Sequence, residues 1–264
     1  MAADQSLLIE RREYKYLITE EQADWVRHAI APFCQLDPFA AKQPRNRYSI
    51  NSLYFDTPAL ALYHANIVEH VDRFKLRIRD YPDSPGGPVF FEVKRRINDV
   101  ISKTRGRVPY DCWKQALEEP GQFDWNALGL HHRHAVERFA TLMHLHVASP
   151  KTLVRYEREP YFSVVDDYAR VTFDRNIRSQ RVDTLTLTEP NKHWRNMDDA
   201  ATMKSSRSLL VLELKFTSAV PSWMVNMVAS LNLNRLAFSK YGTSVIAWYT
   251  RPDLRDSMME RLLA

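Results

Sequence analysis

Glycine is scarce in this chain of 264 residues, with only six present. None of them falls into GxxxxGK[ST] or GxGxxG, so a backbone cradle for phosphate at a helix start is not supported. Any phosphate bound here must be held by side chains. Cysteine is scarcer still: Cys34 and Cys112 lie far apart without CxxC spacing, which argues against a disulfide or zinc framework and for two reduced thiols. Long apolar runs are missing as well. No segment approaches the ~20 residues that span a bilayer, and MAADQSLLIERRE carries acids where a secretory signal needs an uninterrupted apolar stretch, so a cytoplasmic location is expected. His131, His132, His134, His144 and His146 are spread by helix phase and have no patterned carboxylate beside them, so they do not predict a metal site.

Positive charge is what the chain does have, and it is local. The formal net charge is +5 and the pI near 9.1, which suggests a polyanionic partner. The stretch from Phe74 to Val108 alone carries an excess of +5, leaving the remainder neutral. In FKLRIRDY the bases Lys75, Arg77 and Arg79 alternate with Phe74, Leu76 and Ile78, and a period of two sends the sets to opposite faces of a strand. VFFEVKRR repeats the device with Glu92, Lys94 and Arg96 against Phe91 and Val93. A third short run aligns Lys103, Arg105 and Arg107. Three neighbouring strands with one cationic face are expected, the first two joined by a hairpin at Pro82 to Pro88.

The same pattern recurs along the chain. IERREYKYLI reads as a strand with Arg11, Glu13 and Lys15 on one face, and Thr19 with Gln22 forms a capping box that opens a helix. RYSINSLYF, LVRYEREPY and ARVTF read as further strands, and a helical insertion is expected at about 110–147. LLVLELKF is the most apolar strand, yet it carries Glu213 and Lys215, and a lone buried carboxylate would cost several kcal/mol unless paired or metal-bound. A charged interior is therefore predicted. The fold expected is α+β, one domain over 1–264: an antiparallel eight-stranded β-barrel with charged residues in its lumen and helices packed outside.

Taken together, IERREYKYLI, SLYFDT, FKLRIRDY, FFEVKRR with SKTRGR, VRYEREPY, RVTFDRNIRS, LLVLELKF and AFSKYG resemble, in order, the VTC domain. That domain is the polyphosphate-polymerase branch of the CYTH-like triphosphate tunnel metalloenzymes. The resemblance implies an eight-stranded tunnel whose bases hold a nucleoside triphosphate and a growing phosphate chain. By position it implies catalytic roles for Lys15, Arg77, Arg79, Lys94 and Arg158, and phosphate contacts from Lys103, Arg155, Tyr156, Arg170, Arg178 and Lys240. Glu213 matches the metal-binding glutamate, for Mn²⁺ or Mg²⁺, although it could instead simply neutralise Lys215 or an arginine. Two positions depart from the pattern: Arg11 stands where the triphosphatase branch has the first acid of ExExK, and Ala237 stands where polymerases have a second base.

The activity implied is transfer of the γ-phosphate of ATP to polyphosphate. A metal-dependent triphosphatase and a non-catalytic polyanion-binding module are the alternatives. ATP and inorganic polyphosphate are the expected partners, with a separate membrane protein if product is to cross a bilayer. Nucleic acid is not favoured, since no recognised nucleic-acid motif is present.

Overall fold

The computed structural model describes residues 11–258 apart from 99, 167, 189–192, 218, 236, 237, 252, 256 and 257, with Arg11 described for its backbone only. Ala237, the departure noted above, lies outside the described residues, as does most of a closing helix expected over 253–263. The elements in order are β1 (Arg11–Ile18), α1 (Glu20–Ile30), β2 (Cys34–Leu36), β3 (Tyr48–Asp56), α2 (Ala61–Ile67), β4 (Asp72–Asp80), β5 (Val89–Ile97) and β6 (Val100–Val108). There follow α3 (Gln115–Glu118), α4 (Leu130–Leu145), β7 (Ser149–Ser163), β8 (Ala169–Arg181), β9 (Arg195–Asn196), β10 (Leu210–Thr217), α5 (Ser222–Ser230) and α6 (Lys240–Tyr249).

Eight strands form one antiparallel path in the order β1-β10-β8-β7-β3-β4-β5-β6, with β2 added beside β7 and β9 beside β8. The path curls so that β1 comes within side-chain reach of β5. Glu13 on β1 reaches Lys94 on β5 at 3.5 Å, while among the described residues no ladder joins β1 to β6. The outer edge of β1 instead makes an isolated antiparallel bridge from Tyr16 to Arg235.

Strand alternation sorts the two faces. On the convex face Leu53, Leu76, Ile78, Phe91, Val93 and Leu153 pack against Val136 and Phe139 of α4. Gly106 on β6 permits that approach, because a Cβ there would stand 2.7 Å from the His132 carbonyl oxygen and 2.7 Å from Val136 Cγ2. Further round, Tyr16, Ile18, Val171, Phe173, Leu212 and Leu214 pack under α1 and α5. The capping box of α1 is formed: Gln22 N donates to Thr19 Oγ1 at 3.2 Å and Thr19 N to Gln22 Oε1 at 2.9 Å.

One helix lies on the other side. Ile50, Tyr54, Val154, Tyr156 and Val211, from the concave face, form a core with Tyr241, Val245 and Ile246 of α6. Tyr241 donates to Asp56 Oδ2 at 2.5 Å, and Ser244 and Thr152 share a hydrogen bond of 2.9 Å. Asp56 also accepts the amides of Leu62 and Tyr63, each at 2.8 Å, so one buried carboxylate ties α2, α6 and β3 together. Residues 240–247 of α6 are all buried, and its first turn points into the middle of the lumen.

Candidate active site in the lumen

The central strand β10 sets the first wall. Glu213 faces inward between Lys15 of β1 and Thr172 of β8, its partners in register. It accepts from Lys215 at 2.6 Å, from Lys240 at 3.1 Å and from Arg158 at 3.1 Å. Two residues past Thr172 on β8, Asp174 takes Arg158 in a fork of two 2.6 Å bonds and Lys240 at 2.5 Å. Such bidentate pairs fix a guanidinium in direction as well as place. Burial alone would raise both carboxyls. The neighbouring cations outweigh it, Lys215, Lys240, Arg158 and Lys15 holding Glu213 well below the usual carboxylate range, and Arg158 and Lys240 lowering Asp174. Tyr156 lies under this group, with Lys240 Nζ 4.7 Å and Arg158 Cζ 5.4 Å from its ring centre.

Glu92 organises the opposite wall, on β4, β5 and β6. It is almost wholly buried and meets Arg77 at 2.6 Å, Lys103 at 2.7 Å, Arg105 at 3.3 Å and Arg79 at 3.9 Å. Burial would raise its carboxyl, but Arg77, Arg79 and Lys103 hold it well below the ordinary range. Burial pushes Lys103 down to about 7, with Arg77 and Arg79 adding to the shift against Glu92. Arg77 also donates to Tyr54 Oη at 3.3 Å.

The approach of β1 to β5 forms the third part. Lys15 pairs with Glu13 at 3.1 Å and donates to the Phe238 carbonyl at 2.9 Å, while Lys75 donates to Ser239 Oγ at 3.2 Å. Burial, with Lys15, Lys94 and Arg77 nearby, pushes Lys75 down to about 7. A cavity of about 710 Å³ opens here, lined by Glu13, Lys15, Lys75, Lys94, Arg235 and Ser239 among others. Arg235 also lies 4.1 Å over the ring of Tyr14.

Of the residues singled out in the sequence, Lys15, Arg77, Arg79, Lys94, Lys103, Tyr156, Arg158, Glu213 and Lys240 converge on this lumen. Arg170 faces the same side, opposite Lys215 in register and 5.3 Å from the ring of Tyr168. Arg155 and Arg178 do not join them. Arg155 donates to Asn51 at 2.7 Å on the convex face, and both guanidiniums lie against Trp194, at 5.7 and 5.1 Å. Two physical reasons apply. Arg155 has the opposite strand parity to Tyr156 and Arg158. Arg178 shares parity with Asp174, but the ladder shifts register opposite Tyr156, where Asn176 stands at φ 52°, and the extra residue turns Arg178 outward.

Strand parity puts Lys75, Glu92 and Lys215 on charged faces without assigning them a site role, and the sequence does not single out Asp174. Among the described residues no cluster of three His, Cys, Asp or Glu could cage a metal. Glu213 and Asp174 share Lys240 between them, and Glu13 stands diagonally across the β1–β10 ladder. This donor set fits a hard divalent cation that takes one or two carboxylates and completes its shell with phosphate oxygens and water.

None of the curated proteins compared with the chain matches it. Three of the solved structures that match are each 12% identical to it: an adenylyl cyclase candidate from Hippeastrum described as having a dominant triphosphatase activity has a TM-score of 0.48 and covers 88% of this chain and 93% of its own. An adenylate cyclase candidate from Bacillus halodurans has a TM-score of 0.44, covering 88% and 96%. The PH1819 protein from Pyrococcus horikoshii has 0.41, covering 85% and 88%. At that distance they carry no argument about chemistry. The VTC domain model, by contrast, matches residues 10–249, and the chain belongs to the VTC domain family.

Proposed function

We propose that this chain is a metal-dependent polyphosphate polymerase, transferring the γ-phosphoryl group of ATP to the end of a phosphate chain in the lumen. Family membership and a lumen walled by Lys and Arg support a polyphosphate or triphosphate substrate. The observation that carries transfer is the way the lumen is neutralised: Glu13, Glu92, Asp174 and Glu213 are each engaged by Lys or Arg, and the cations beyond them suit two phosphate reactants brought together. A terminal phosphate oxygen is already anionic and needs no base. Its attack on the γ-phosphorus forms one P–O bond while the bond to the β-phosphate bridge breaks, the electron pair leaving on ADP.

Phosphoryl transfer asks for positioning and neutralisation more than for covalent help. Arg77, Arg79 and Arg158 offer planar forks to phosphate oxygens, and Lys15, Lys94, Lys103 and Lys240 act as point charges. Mn²⁺ or Mg²⁺, held through Glu213, would supply charge neutralisation between phosphate oxygens. The carboxylates fix where each cation points before substrate arrives.

The test is incubation with γ-labelled ATP and Mn²⁺ or Mg²⁺, with products resolved on a gel. Wild type is expected to place label in long chains, and Glu213→Gln to lose on the order of 100-fold in rate. Equal synthesis by both would remove the metal role from Glu213. Label in free phosphate alone would replace this reading with the hydrolase, and salt-sensitive binding without turnover with the polyanion-binding module.

A further inference from the structure

Four aromatic rings form a continuous run at one mouth of the lumen. Phe39 meets Tyr48 edge-on at 5.2 Å, Tyr48 meets Tyr81 at 5.8 Å, and Tyr81 meets Phe90 edge-on at 5.6 Å. They come from the loop before β3, the first residue of β3, the residue after β4 and the second residue of β5. All four keep part of their surface in solvent. Tyr48 and Tyr81 pack against the concave-face core, so the run faces inward. It sits at the opposite ends of β4 and β5 from the cavity lined by Lys75 and Lys94.

This rim is wired to the phosphate-binding wall. The Arg105 guanidinium lies 3.7 Å over the ring of Phe90 and donates to Tyr81 Oη at 3.1 Å. Its Nε stands 3.3 Å from Glu92, the carboxylate that grips Arg77. Tyr48 is the register partner of Arg158. Partly exposed aromatic rings, Phe90 among them already stacked by Arg105, therefore stand beside groups suited to a triphosphate. Inorganic phosphate has no use for aromatic surface. A nucleobase does, since every base presents a π face that stacks on aromatic rings and arginine.

We propose that Phe39, Tyr48, Tyr81 and Phe90, with Arg105, form a nucleobase subsite that holds the base of a nucleoside triphosphate whose phosphates enter the lumen. The inference rests on the triphosphate-binding reading of that lumen. Recognition by stacking predicts tolerance of base identity, because no fixed hydrogen-bond pattern is needed.

Calorimetric titration with ATP and, separately, with tripolyphosphate, both in Mg²⁺, tests it on the full chain. Phe90→Leu and Tyr48→Leu each remove a ring, and Phe90→Tyr restores one. The leucine variants should bind ATP about tenfold more weakly and tripolyphosphate as wild type does, with Phe90→Tyr recovering ATP affinity. Retained tripolyphosphate binding also shows that the variants fold. Equal weakening of both ligands, or unchanged ATP affinity, would overturn the subsite and leave the lumen reading intact. If wild type binds neither ligand, the lumen reading falls and this inference with it.

Discussion

Lys75 and Lys103 meet a conflict that the neighbouring arginines escape. Burial, with other cations nearby, pushes both ammonium groups down to about 7, Lys103 against the pull of Glu92 at 2.7 Å, whereas a guanidinium cannot release its proton at any ordinary pH. An unfolded chain holds these lysines near 10.5, so between pH 7 and 10.5 it binds more protons than the folded protein. Stability should therefore rise with pH through that window and be lowest below 7, where both lysines are charged in either state. Affinity for polyanions should run the other way. Melting curves between pH 6.5 and 9 are expected to show an upward trend without ligand, and tripolyphosphate affinity to fall over the same interval; Lys75→Met with Lys103→Met should flatten both. The strongest single-residue effect is expected at Asp174→Asn, which strips a counter-charge from Arg158 and Lys240 and should cost roughly 3–5 kcal/mol in urea unfolding. Arg158 and Arg155 make a second contrast: Arg158→Met should damage phosphate binding far more than Arg155→Met. Period-two alternation made most lumen cations legible in the sequence, as in KLRIR and FEVKR. It failed at Arg178, because a bulge changes parity without leaving a mark in composition, and at Asp174, because an aspartate after TF reads as the end of a strand.

At the scale of elements, two close fits decide where helices lie. Gly106 lets α4 seat on β6, and Gly106→Ala should cost about 1–3 kcal/mol through overpacking, read as a lowered urea midpoint with an unchanged slope. Asp56 anchors the other fit, joining the start of α2 to Tyr241 of α6. Asp56→Ala would leave the Leu62 and Tyr63 amides unpaired in a buried site and should loosen α6, measurable as faster hydrogen exchange across 240–249. The helix α1 was legible from its capping box, and it buries Ala23, Val26 and Ile30. α6 was not, since KYGTSVIAWY has no polar face to reveal a period: it is buried almost all round. Nothing local in the sequence distinguishes a helix that fills a barrel from a strand that walls it.

Across the whole molecule, the lumen gathers far more cations than the carboxylates Glu13, Glu92, Asp174 and Glu213 can balance. The free protein therefore carries a standing repulsion that a bound polyanion relieves. Tripolyphosphate at about 100 times its Kd should add about 2.7 kcal/mol, or roughly 5–10 °C in Tm for a chain of this size. High salt should shrink that gain while raising the melting point of the free protein. Among the described residues no helix is long and apolar enough to cross a membrane.

The sheet order sets a timetable as well as a shape. β1, made first, finds its ladder partner only at Leu210–Thr217, about 200 residues later. At the usual ~5–20 residues per second of synthesis, the first strand waits roughly 10–40 s on the ribosome before it can pair. Lys240, which completes the contacts of both Glu213 and Asp174, arrives later still. Nascent chains cut short before β10 would expose β1 as an unpaired edge, and the hairpin β4–β5–β6, whose ladders are all local, is the part able to form while the rest is still being made.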